Sequence, residues 1–206
     1  KMLTTSLDLY YTTSVDVPLL TDDVLDKFLK ENKILKPQDN KLYSRIHNLF
    51  YLTRYAEVAD GTSMTLDAFR NRIWEIKIRG EAHYTYSQQE KRERCLLEMA
   101  KRKLQTESFY IKKDGIDAEA VETLIIDDIV CQDDRNGYYF AHDIYQEWSL
   151  DYQVEAIWDE TKDIVTFIQK LGDSLSSVNA FKRWYRRKIE NDDECVTLFT
   201  DAVFNG

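Results

Sequence analysis

Three histidines, three cysteines and several paired acids are the residues of this chain whose chemistry could exceed packing and charge, and His142 has the most informative setting. It lies in Tyr138-Tyr-Phe-Ala-His-Asp-Ile-Tyr-Gln-Glu-Trp-Ser149, just after the tight-turn pair Asn136-Gly137. The pattern reads as a short strand running directly into a helix, with His142 at the corner and Asp143, a helix-capping residue type, beside it. An imidazole at such a corner can donate a hydrogen bond to an anion such as a phosphate oxygen, or can simply satisfy backbone groups. His47 and His83 have no metal-ligand spacing relative to it or to each other.

Other chemistry is hard to place. The chain has no GxxxxGK[ST] loop to cradle phosphates, no GxGxxG and no HExxH. Asp22-Asp23, Asp127-Asp128 and Asp133-Asp134 each fall at a helix start or turn, the ordinary structural use of paired acids. Cys95, Cys131 and Cys195 are far apart, odd in number and form no CxxC pair, so three reduced cysteines and a cytoplasmic setting are expected. With no catalytic constellation, the chain by itself reads as a non-enzyme. Arg70, Arg72 and Arg79 could touch a phosphate, but a solvated or salt-bridged face is the better expectation. Trp74, Trp148 and Trp158 read as packing residues.

Charge narrows the partners. The net charge is −9 over 206 residues, and Glu107 to Asp163 alone carries sixteen acids against four bases. Such a surface repels a phosphate backbone, so nucleic acid is an unlikely partner. The balance reverses in Lys182–Glu190, with five bases, one acid and Trp184 interleaved. That run reads as a solvated helix face, as a contact for an acidic partner or nucleic acid, or as a segment resting on the acidic part of the same chain. No stretch reaches the ~18 apolar residues of a membrane span. The start, Lys1-Met-Leu-Thr-Thr-Ser-Leu-Asp, has no signal-peptide core and does not resemble a natural translation start, so a fragment of a longer protein is expected.

The elements that must position these residues are mostly helical. Only 6 Gly and 2 Pro interrupt the chain. Leu7–Tyr11 and Ser14–Leu20 alternate in part and read as strand or extended segments. Thr21-Asp22-Asp23 starts a helix carrying Val24, Leu25, Phe28 and Leu29, which ends by Pro37. A single helical run is expected over 40–59 with Leu42, Ile46, Leu49, Phe50 and Leu52. Ser63 or Thr65 caps the next, with Leu66, Phe69, Ile73 and Ile76 on one stripe and Gly80 as its stop. Ser87-Gln-Gln-Glu90 has the form of a capping box for a helix to about Leu104. Asp117 caps a short helix to Ile126, a hairpin pairs 129–131 with 138–140, and a long helix starts near Asp143 with Ile144, Trp148, Leu150 and Tyr152. Further helices are expected at 161–171 and 177–190.

Three blocks taken together carry a resemblance: Leu66-Asp-Ala-Phe-Arg-Asn-Arg-Ile-Trp-Glu-Ile-Lys-Ile-Arg-Gly80, Lys91-Arg-Glu-Arg-Cys-Leu-Leu-Glu-Met-Ala-Lys-Arg102, and Tyr139-Phe-Ala-His-Asp-Ile-Tyr-Gln-Glu-Trp148. In this order they resemble the helical lid and winged-helix portion of bacterial signal-transduction ATPases with numerous domains (STAND-type NTPases), relatives of apoptotic and plant disease-resistance NTPases. Val15-Asp-Val-Pro-Leu-Leu-Thr-Asp-Asp23 is similar to the segment where such proteins leave the nucleotide-binding core. The resemblance implies a mainly α fold, with an extended lead-in over 1–20, a helical lid over 21–82 and a winged-helix domain with a small β-hairpin over 83–157. The start of a C-terminal helical sensor would occupy 158–206. It also implies that Walker motifs lie in a preceding core and that the parent protein is an ATPase using ADP/ATP with Mg. In the family a histidine of a Met-His-Asp-like motif touches the β-phosphate of ADP. Ala141-His142-Asp143 matches at His and Asp, which makes His142 and Asp143 the implied cofactor-binding pair, with His142 as the phosphate contact and Asp143 capping the following helix and holding the corner in place. The implied partners are the parent's nucleotide-binding core and, on activation, further copies of the chain. One departure is that His47-Asn-Leu-Phe-Tyr-Leu52 lacks the proline that many relatives place near the adenine. His47 and Asn48 could stand in as polar contacts, though a surface or core role suits them better. The competing readings are a winged-helix DNA-binding module and a protein-interaction module with no nucleotide role.

Overall fold

The computed structural model describes residues 18–191 and 194–205, so the strand or extended segment expected over 7–11 and most of the one expected over 14–20 lie outside the described residues, while 18–20 form no strand. Among the described residues the chain is mainly helical, with one two-stranded antiparallel sheet. It divides into two compact units, Lys1–Phe69 and Arg70–Gly206.

The first helix among the described residues of this first unit is α1 (Asp22–Glu31), whose N-cap position is Thr21 and whose first turn carries Asp22 and Asp23. Acids there meet the positive end of the helix dipole. The single run expected over 40–59 is instead two helices, α2 (Asn40–Arg45) and α3 (Leu49–Val58). Asn48 causes the break: its side chain accepts the Phe50 N–H and starts a new helix. The apolar register restarts with it, leaving Leu49 exposed and burying Tyr51, Leu52, Tyr55 and Val58. Leu25, Leu29, Leu42, Ile46 and Phe69 complete this core. Asp39 caps α2 through the Lys41 and Leu42 amides, and its second oxygen takes the Leu66 amide at the start of α4 (Leu66–Ile73). Of the two capping candidates for α4, Thr65 is the one that accepts an amide, that of Ala68.

The helix that begins at Leu66 does not stay α-helical. From Trp74 to Arg79 it becomes a π-helix and stops at Gly80, which adopts φ 72°. The i→i+5 bonds of a π-turn add a residue per turn and shift the buried face. The stripe expected through Ile76 therefore passes through Ile73, Trp74 and Ile78. Next comes α5 (Tyr86–Leu104), and its start differs from the expected Ser87–Glu90 box. Its N-cap is Thr85, two residues earlier, with Gln88 Oε1 accepting from the Thr85 N–H and hydroxyl.

Beyond α5, Ile111 makes a two-way backbone bridge with Tyr138 at 2.8 and 2.9 Å. Asp117 caps α6 (Ala118–Ile126) by accepting the Ala120 amide. The hairpin is β1 (Val130–Asp133) paired with β2 (Gly137–Phe140), in the register Val130 to Phe140 and Cys131 to Tyr139. Asp133 organises its turn by accepting the Arg135 and Asn136 amides. Gly137 is required here because a Cβ at this position would lie 2.2 Å from the Ile111 carbonyl oxygen.

The second unit is built around α7 (Asp143–Thr161), which packs on α5, on α8 (Ile164–Leu171) and on α9 (Leu175–Glu190). Partners on several sides explain why α7 buries Tyr145, Trp148, Leu150, Val154 and Trp158 rather than a single stripe. Its C-terminal half meets an aromatic core of Trp158, Phe167, Trp184 and Phe199, the last from α10 (Cys195–Asn205). No helix among the described residues is long and apolar enough to cross a membrane.

Candidate functional site

The strand-to-helix corner is built as its sequence suggested, apart from the cap. β2 ends at Phe140, and the Ala141 amide bonds to the Ile129 carbonyl. His142 is still extended, at φ −138° and ψ 142°, and its carbonyl accepts the Tyr145 and Gln146 amides. His142, not Asp143, therefore occupies the N-cap position of α7. Asp143 is already the first helical residue, so the capping role implied for it does not hold. Its carboxylate lies in the first turn, where it meets the helix dipole. Both side chains are exposed, and the His142 ring stands edge-on to Tyr145 at 5.8 Å. The arrangement places an exposed imidazole at the N-terminal end of a long helix.

Further along α7 the electrostatics are of another kind. Glu147, Asp151 and Glu155 recur every fourth residue and face α9. Asp151 is 5% exposed and pairs with Arg183 at 3.0 Å, Arg187 at 3.3 Å and Arg70 of α4 at 3.1 Å. Glu155 takes Lys188 at 2.7 Å and the Trp184 indole N–H at 2.8 Å. The basic run therefore rests on the acidic segment of its own chain, while Lys182 and Arg186 stay exposed. Asp151 was not singled out by sequence. The signal was present, in acids four apart on one helix and bases at 183 and 187 on another.

A second polar centre that sequence did not single out holds the π-helix. Arg92 is 1% exposed and donates to the Ile78 and Lys77 carbonyls, both at 2.9 Å. Its charge is matched by Asp127 at 2.8 Å, and the Tyr84 ring lies under the guanidinium at 4.2 Å. These carbonyls sit at a helix end, where their intrahelical donors run out, and Arg92 supplies the replacement.

The remaining residues of interest are structural. Arg70, Arg72 and Arg79 are all in ion pairs, the last with Glu75 and Glu93. Trp74, Trp148 and Trp158 are buried. His47 pairs with Asp22, and Asn48 caps α3. None of the cysteines is in a disulfide, and burial pushes the Cys95 thiol up to about 12. Cys95 also lies on a pocket of about 390 Å³ along α5 whose rim mixes Lys91 and Arg94 with Glu98 and Asp117. That mixture of signs does not favour a phosphate. Among the described residues no group of three or more His, Cys, Asp or Glu is arranged to hold a metal. A comparison with protein-family models returns no match, and neither does a comparison with curated proteins.

Proposed function

We propose that this chain is the regulatory lid and winged-helix portion of a multidomain signal-transduction ATPase, with His142 acting as its nucleotide sensor. The observation that carries the reading is the exposed His142-Asp143 corner, where a strand of the hairpin turns directly into the central helix of the second unit. The order of elements supports it: α5, a strand-like bridge at Ile111, α6, the β1–β2 hairpin and α7 are compatible with a winged helix. A neutral or protonated imidazole at this corner can donate to a β-phosphate oxygen. The Asp143 carboxylate would face the same anion, so the contact depends on the imidazole and on any metal carried with the nucleotide. ADP or ATP with Mg would be held chiefly by a core outside these residues. Release of His142 would free the winged-helix portion from the core, and within it α7 is joined to α9 by the Glu147–Asp151–Glu155 ladder. That ladder offers a path to a C-terminal sensor beginning near residue 158 and to assembly of further copies.

The ion pairs at Arg183, Arg187 and Lys188 favour this reading over duplex binding, because charges matched within the chain have less to offer phosphates. Two experiments test it. The purified 206-residue chain is expected not to turn over ATP, and robust hydrolysis would overturn the assignment. Salt-dependent duplex binding, lost when Lys182 and Arg186 become Ala, would favour the DNA-binding alternative.

A further inference from the structure

The start of α1 is fastened by a histidine whose two ring nitrogens both meet oxygen. His47 Nδ1 lies 3.0 Å from the Tyr43 carbonyl, and Nε2 lies 3.1 Å from an Asp22 carboxylate oxygen. A neutral imidazole has one donor and one acceptor, so either tautomer would set a nitrogen lone pair against an oxygen lone pair. Only the imidazolium donates to both. The backbone completes the closure, with the Leu20 N–H donating to the His47 carbonyl at 2.8 Å. Residues 20–22 are thereby tied to the junction between α2 and α3.

We propose that His47 is a protonation-dependent latch that holds the start of α1 against the α2–α3 junction as imidazolium and loosens when the ring loses a proton. Among the described residues, the charged and titratable groups that face it fit this role. Asp22, from α1, is the counter-charge; the Tyr43 hydroxyl donates to it at 2.6 Å, and that bond, followed by the one from His47, holds its carboxyl below the usual range. Tyr43, from α2, therefore spends its proton on Asp22. Lys36, from the segment before α2, lies over the Tyr43 ring at 4.2 Å, and its ammonium is matched by Asp26 at 2.9 Å. Because Asp22 is held below the usual carboxylate range and stays ionised, the proton whose loss opens the latch is the one on the imidazole. The latch is closed on the acid side and weakens as pH rises. This inference is independent of the nucleotide reading, since it concerns the first unit alone.

The test is amide hydrogen exchange at Leu20 and in the first turn of α1, expressed as protection factors between about pH 5.5 and about pH 8.5, with the ring nitrogen shifts of His47 followed in parallel. The wild-type chain should lose protection by roughly fivefold across this range, the scale of one ion pair with a solvent-exposed partner. The ring should show two protonated nitrogens at the acid end. His47→Gln, which cannot titrate, should flatten the dependence, and Asp22→Asn should reduce it. Protection that does not vary with pH, an equal slope in His47→Gln, or a neutral tautomer at about pH 5.5 would overturn the latch. The ring shifts of the wild-type chain decide the matter even if a variant fails to fold.

Discussion

The two ends of α7 use their polar residues in opposite ways. At the start, His142 and Asp143 stand exposed where strand becomes helix, with no side-chain cap bond. In the middle, Asp151 is buried and receives guanidinium groups from α4 and α9. A buried carboxylate among three arginines is committed to the fold, because removing it strands like charges in a poorly hydrated place. An exposed histidine at a corner contributes little to folding. The difference separates the part of α7 that holds the unit together from the part to which the proposed nucleotide contact is assigned.

Four substitutions can break or sharpen that contrast. Asp151→Ala should have the largest effect, lowering stability by roughly 3–5 kcal/mol in denaturant unfolding, since it leaves buried charges unmatched. An unchanged midpoint would remove the hub from the account. Gly137→Ala should come next, at about 1–3 kcal/mol, because its φ of 126° and the nearby Ile111 carbonyl both resist a side chain. Loss of the Ile111–Tyr138 bridge should be visible as faster exchange of both amides. Asp39→Ala should cost about 1 kcal/mol as a lost N-cap. Partial burial raises the Asp39 carboxyl, but the Leu66, Lys41 and Leu42 amides outweigh it and leave the group below its ordinary value. The Asp39 contribution should therefore be complete above the unfolded carboxylate range and disappear as pH falls through the lower folded value. Asp39→Ala should flatten that part of the pH profile. Smallest of all, His142→Ala should change stability by less than about 0.5 kcal/mol, as an exposed substitution does. A large loss would make His142 a structural residue like Asp151.

Much of the architecture was legible where local chemistry decides it. Asp117 and the turn before Gly137 mark element ends by hydrogen bonds that reach only a few residues, and Thr21, with acids following it, stands at the N-cap position of α1. The corner itself was legible for the same reason. What escaped reading depended on competition or on distance. Asn48 splits one apparent helix because its side chain caps better than it continues. The π-turn after Ile73 moves the buried face by an amount that period-3.6 reasoning does not anticipate, and Arg92 becomes a buried cap only once that turn exists. Asp151 and Arg70 lie 81 positions apart, so their pairing could not be read from spacing along one helix. The cap at Asp143 was misplaced by one residue because two polar residues in succession leave the entry point ambiguous until the backbone is seen.

The most direct measurement is the release of a fluorescent ADP analogue from the full-length protein, comparing wild type with His142→Ala. If His142 contacts the β-phosphate, release should be about tenfold faster in the variant, the scale of one charge-assisted hydrogen bond, while the unfolding midpoint stays in place. Equal release rates with an intact fold would contradict the sensor role and leave His142 as an ordinary corner residue.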